Sequence, residues 1–249
     1  MWNDVLDLRE FYATARGRMA RRLISRCLRQ IWPDVRGQRV AGIGYAPPYL
    51  ISFREDAERV LAVMPMGQGV ARWPEGNPNL ACLAEELALP LPDRSIDRLI
   101  LVHCLEGTAE PRALMRECWR VLADGGRLLV VVANRSGLWA RAEQSPFAHG
   151  RPYSMSQIHK LLRDGMFAPL QSATALFIPP IWWRLFGGWA SDVDQLGARW
   201  FPTLAGVIAI EAEKQIYAMP FDAVPSRAAV SRASARTPLA RREGLPPNR

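Results

Sequence analysis

EELALPLPDRSIDRLILVHCLE, Glu85 to Glu106, is the stretch that decides the fold. Its first half is a turn. Pro92 fixes the backbone, and Asp93 and Ser95 carry short polar side chains that bond neighbouring main-chain groups. Its second half, Ile96 to Leu105, is an apolar run suited to a strand buried on both faces, which is the mark of a parallel sheet. His103 falls at the carboxyl end of that strand, where open α/β sheets hold their ligands.

Downstream, TAEPRALMRECWRVLADGG spaces Leu114, Met115, Cys118, Val121 and Leu122 on one helical face. Thr108 is the expected N-cap and Gly125 the expected left-handed C-cap. RLLVVVAN (127–134) reads as the next buried strand, and Ser154 with Gln157 opens a further helix by a capping box that closes near Gly165. Upstream, RVAGIG (39–44), RVLAVM (59–64) and NLACLA (79–84) read as strands, and Leu8 to Trp32 as one amphipathic helix ended by Pro33. LQSATALFI (170–178) and AGVIAIEAEKQIYAM (205–219) predict two final strands in an antiparallel hairpin. Strands alternating with helices and then a hairpin predict an α/β fold, a three-layer αβα sandwich. The expected organisation is an N-terminal helix (1–34), a core domain (35–220) with a Trp-rich cap (179–201), and a disordered basic tail (221–249).

VAGIGYAPPYL, Val40 to Leu50, places a glycine turn between a strand and a helix, the layout of a nucleotide-binding βα unit. A dinucleotide fingerprint needs a third glycine and an acid about 20 residues on; Pro47 and Met64 stand there instead, so that reading is poor.

The run Leu89 to Asp97, preceded by Glu85, is followed in order by His103, Glu106, Arg120 to Leu122 and Gly125–Gly126. This pattern resembles the type 11, small-molecule branch of the class I S-adenosylmethionine-dependent methyltransferases. The resemblance implies a seven-stranded, mostly parallel sheet with an antiparallel last strand. It also implies S-adenosyl-L-methionine as cofactor, held by Gly42, Gly44, Tyr45, Ala46, Met64, Glu85, Glu86, Leu87 and His103. Three positions depart from the family, one of them Ala46, where the family has glycine. An acid that supports the methionine end is Val40 here, and the acid that takes the ribose hydroxyls is Met64. Losing a charge-assisted hydrogen bond of roughly 1.5–3 kcal/mol weakens binding about 10- to 100-fold. The leading reading is therefore a methyltransferase acting on an unidentified small molecule. The alternatives are a non-catalytic binding or scaffolding relative, and RNA or protein methylation guided by the basic tail.

Methyl transfer needs position and desolvation more than a dedicated base, so no catalytic residue is assigned. His149, Tyr153, Trp182, Trp183 and Trp189 are the substrate-pocket candidates, and the Trp-rich cap is equally suited to a protein partner. The formal net charge is +8, of which residues 223–249, with six Arg and one Glu, hold +5. That tail is simplest as a solvated segment, although its charge suits RNA, anionic lipid or an acidic partner. Four cysteines without C-x-x-C spacing predict no metal site and a reduced, cytoplasmic chain. No apolar run reaches the ~18 residues of a transmembrane segment, and no apolar signal core follows Met1.

Overall fold

A computed structural model describes residues 2–142, 145–180 and 204–216. Residues 181–203, which include Trp182, Trp183 and Trp189 of the Trp-rich cap, and the basic tail lie outside the described residues. Residues up to Ile216 form one compact unit.

Seven strands make one sheet: β1 Arg39–Gly44, β2 Arg59–Pro65, β3 Ala81–Ala84, β4 Ile96–Val102, β5 Leu122–Ala133, β6 Phe167–Ala175 and β7 Val207–Lys214. Their order is β3-β2-β1-β4-β5-β7-β6. β1 pairs in parallel with β2 and β4, while β7 runs antiparallel to both β5 and β6. This is the predicted α/β sandwich with its antiparallel last strand. Alternate residues of each strand feed opposite layers, as a strand period of two demands. Ile100, Val102, Leu129 and Val131 enter one buried cluster; Leu99, Leu101, Leu128 and Val130 enter the other.

Helices α1 Val5–Ala13, α2 Ala15–Ile31 and α3 Pro47–Leu50 cover the first face, and α4 Pro111–Val121 and α5 Met155–Asp164 the second. The single helix expected from Leu8 to Trp32 is thus two. Thr14 adopts an extended backbone, ends α1, and caps α2 by accepting from the Gly17 amide at 2.9 Å. Gly17 has no side chain because a β-carbon there would sit 2.0 Å from the Phe11 carbonyl oxygen.

The capping box of Ser154 and Gln157 on α5 and its close at Gly165 are as expected. Two other caps are not. Glu110 is the N-cap of α4, with Pro111 as its first residue, and the Thr108 hydroxyl instead accepts from the Glu110 amide. Gly125 does adopt φ +73°, but inside β5 rather than at the helix end, next to the register shift between β4 and β5.

Two polar clasps tie the layers. Arg120 reaches the carbonyls of Leu89 and Leu91 and bonds Glu117, whose carboxylate also takes the Leu89 amide. Buried Glu211 on β7 accepts from Trp32 Nε1 at 2.8 Å and from Gln171 Nε2 at 2.7 Å.

Candidate functional site

Strand order reverses between β1 and β4, so the crevice for a ligand lies at the carboxyl ends of these strands. The glycine turn sits there. Gly44 has φ +83°, and a β-carbon on it would lie 2.2 Å from the Val102 carbonyl oxygen. A β-carbon on Gly42 would lie 2.4 Å from that of Ala46. Both glycines are therefore fixed by internal packing, which lets α3 start directly over β1. Pro47 supplies the pre-set backbone of its first turn; the Tyr45 amide closes the turn on the Val102 carbonyl.

Val40 and Met64, where the family has acids, are fully buried. The Met64 sulfur accepts from the Ala71 amide at 3.4 Å.

His103 is buried, with a left-handed backbone at φ +48°. Its Nε2 lies 2.8 Å from the Tyr12 hydroxyl, which is itself 2.7 Å from the Tyr49 hydroxyl. Tyr12 stacks on Tyr45 at 5.6 Å, and the His103 ring lies 4.9 Å from Phe147. Burial without a charged partner lowers the His103 pKa to about 3, so the ring is neutral at ordinary pH. His103, expected to touch the cofactor, is thus engaged by Tyr12 of α1.

Glu85, Glu86 and Leu87 follow β3. Glu85 is exposed, while Glu86 is half-buried and accepts from the Thr108 hydroxyl at 3.4 Å. Between these two regions lies Trp2. A β-carbon on Gly67 would stand 2.4 Å from the indole Cδ1, and one on Gly107 2.5 Å from Cε3. The flat ring therefore fills a slot between two glycines, one after β2 and one after β4. The segment is fastened by the Val5 amide to the Gln68 carbonyl and by Asn3 Nδ2 to the Pro146 carbonyl. Gln68 Nε2 in turn donates to the His103 carbonyl.

Of the predicted substrate-pocket residues, the Tyr153 hydroxyl donates to the Leu105 carbonyl and His149 Nδ1 lies 3.1 Å from the Ser145 carbonyl. Both flank the β4 and β5 ends. Nearby, Glu106 is buried, accepts from the Ala133 amide at 2.9 Å, and is raised to about 7 by desolvation.

Sequence reasoning missed Trp2, Tyr12 and Gln68. An aromatic residue in a charged N-terminal segment was the only signal for the first two.

Two cavities of about 530 Å³ each are open at opposite ends of the sheet. One lies at the amino ends of β1, β4 and β5, around Arg39, Asp97 and Arg127. The other lies at the carboxyl edge beside Tyr45 and Met64. Only the second is placed where this sheet type binds ligands. Among the described residues no group of His, Cys, Asp and Glu is arranged to hold a metal ion.

The fold is a class I methyltransferase-like sandwich. In sequence, residues 35–130 match the family described as methyltransferase domain. That match spans the motifs of residues 85–126 on which the resemblance rests. A probable S-adenosylmethionine-dependent methyltransferase of Mycobacterium tuberculosis is 31% identical over 166 residues, covering 61% of this chain and 59% of that protein. Demethylmenaquinone methyltransferase of Thermus thermophilus is 35% identical over 96 residues, 38% of this chain and 36% of that one. The chain spans 46% of an uncharacterised Mycobacterium bovis relative, about half its length. The fold matches a Thermotoga maritima S-adenosylmethionine-dependent methyltransferase at TM-score 0.60 and 17% identity, over 85% of this chain and 96% of that one.

Proposed function

We propose that the protein is an S-adenosylmethionine-dependent methyltransferase for a small-molecule acceptor. The observation that carries this reading is the slot holding the Trp2 indole. It is walled by Gly67 and Gly107 at the carboxyl edge, and Glu86 joins it through Thr108. A slot that takes an indole suits the similarly sized adenine, and the carboxylates of Glu85 and Glu86 suit its exocyclic amine. The residues fit the adenine end of the cofactor. At the ribose end Met64 offers no carboxylate, which favours modest affinity.

In this reading Tyr45 and Ala46 border the methionine end, and neutral His103 positions without exchanging protons. When bound, the cofactor supplies the electrophilic methyl group. The chain supplies orientation and a dry edge. Trp2 must swing out for the adenine to enter, so the N-terminal segment is a cap that competes with the cofactor. The Trp-rich segment 179–201 remains our proposed acceptor wall, and the basic tail our proposed contact for an acidic partner. Four cysteines, three of them buried and none in a disulfide, support a reducing, cytoplasmic setting. No helix among the described residues is long and apolar enough to cross a membrane.

The test is calorimetric titration of S-adenosylhomocysteine into the wild-type chain and Trp2→Ala. Binding by both, tighter in Trp2→Ala, is the expected result. No heat from either at about 1 mM ligand, the weakest range such titration resolves, overturns the reading.

A further inference from the structure

The carboxyl-edge cavity carries charge that the methyl-transfer reading does not use. Arg9 of α1, Arg21 of α2, Arg54 after α3 and Arg72 after β2 all line it, against one carboxylate, Glu75. These arginines come from four separate segments and are exposed at the rim. Arg72 Nη2 bonds the Asn77 carbonyl. Arg9, Arg21 and Arg54 make none of the ion pairs found among the described residues.

Beneath this rim the floor is aromatic and apolar: Tyr45, Met64, Pro47 and half-buried Trp73. Arg9 and Arg21 lie near enough to the Tyr45 and Tyr49 phenols to oppose the rise in pKa that burial gives them. A concave site with one sign of charge over low-dielectric walls concentrates counter-ions. Guanidinium forks match planar or tetrahedral oxyanions, and they stack on aromatic faces.

We infer that this cavity binds a small aromatic anion, a phosphate monoester or a carboxylate, with its ring on the Tyr45–Trp73 floor and its oxyanion between Arg9, Arg21 and Arg54. The inference stands on the cavity itself, which shares Tyr45 and Met64 with the proposed cofactor site, so the two ligands are tested separately.

The probes are phenyl phosphate, benzoate and neutral benzyl alcohol, titrated calorimetrically into the full chain at two salt concentrations. At least one anion is expected to bind, at least roughly tenfold tighter than benzyl alcohol, and more weakly in high salt. The stronger of the two anions identifies the head group. Arg54→Gln, an exposed change that leaves the fold intact, weakens that anion roughly tenfold. Arg116→Gln, on the exposed face of α4, does not. Silence from both anions at about 10 mM overturns the proposal, as does equal binding of benzyl alcohol. An equal loss in Arg116→Gln overturns it too. S-adenosylhomocysteine binding is read separately, so either proposal can fail alone.

Discussion

The Tyr12 hydroxyl stands 2.8 Å from Nε2 of His103, which joins the first helix to the end of the fourth strand. Tyr12→Phe leaves that buried nitrogen and the Tyr49 hydroxyl short of a partner. A cost of about 1–3 kcal/mol follows, to be checked by urea denaturation.

The same burial sets a pH dependence. With its pKa lowered from 6.5 to about 3, His103 takes up a proton in the unfolded chain before the folded one. Its contribution to stability is complete above about pH 6.5 and is lost as pH falls toward 3. Imidazole NMR signals of His103 are expected to stay flat between about pH 5 and 8, while a fully exposed histidine would titrate there.

Glu106 has the opposite sign. Its pKa is raised from 4.5 to about 7, so the folded chain favours the protonated acid. Stability from this group is full below about pH 4.5 and declines as pH rises to 7, by about 3 kcal/mol in all. Glu106→Gln removes that decline. Thermal melts should show the variant gaining on the wild type between about pH 5 and 8.

Gly107 and Trp2 should be energetically coupled. A methyl group on Gly107 would stand 2.5 Å from the indole, which must then leave its slot. Gly107→Ala is expected to cost about 1–3 kcal/mol in the wild type, and close to nothing in Trp2→Ala. A double-mutant cycle measures the difference, and hydrogen exchange at the Val5 amide reports the released segment.

Arg120→Lys tests the clasp over residues 89–93. An ammonium cannot bracket two carbonyls and a carboxylate at once, so the change should cost about 1–2 kcal/mol in chemical denaturation. Exposed Arg116→Lys should cost near zero.

That clasp also explains what the sequence made legible. The densest match to the methyltransferases, Leu89 to Asp97 with Arg120 to Leu122, is largely structural. Arg120 holds the turn, and Asp97 pairs with Arg39 across the sheet. Those residues identify the fold while saying little about chemistry. The strands were readable because both faces are buried and their apolar runs are continuous. The split at Thr14 was not, because one threonine serving two helices looks like any polar residue on a helix surface. Nor was the occupancy of the edge by Trp2 and Tyr12. Their contacts cross from the N-terminus to residues 67, 103 and 107, and no local periodicity encodes a contact of that range.

Glu211 carries a consequence for how the chain assembles. Trp32 donates to a carboxylate 179 positions later, on a strand that also supplies the edge of β5 and the whole partner surface of β6. The helix pair precedes every strand of the sheet in the chain, yet its anchor emerges on β7, the last of those strands. Pairings of this span are slow to close, because the loop entropy must be met before the contact forms. α2 is thus made long before its β7 anchor, and the part of the sheet face it covers there stays open to solvent until the closing hairpin arrives.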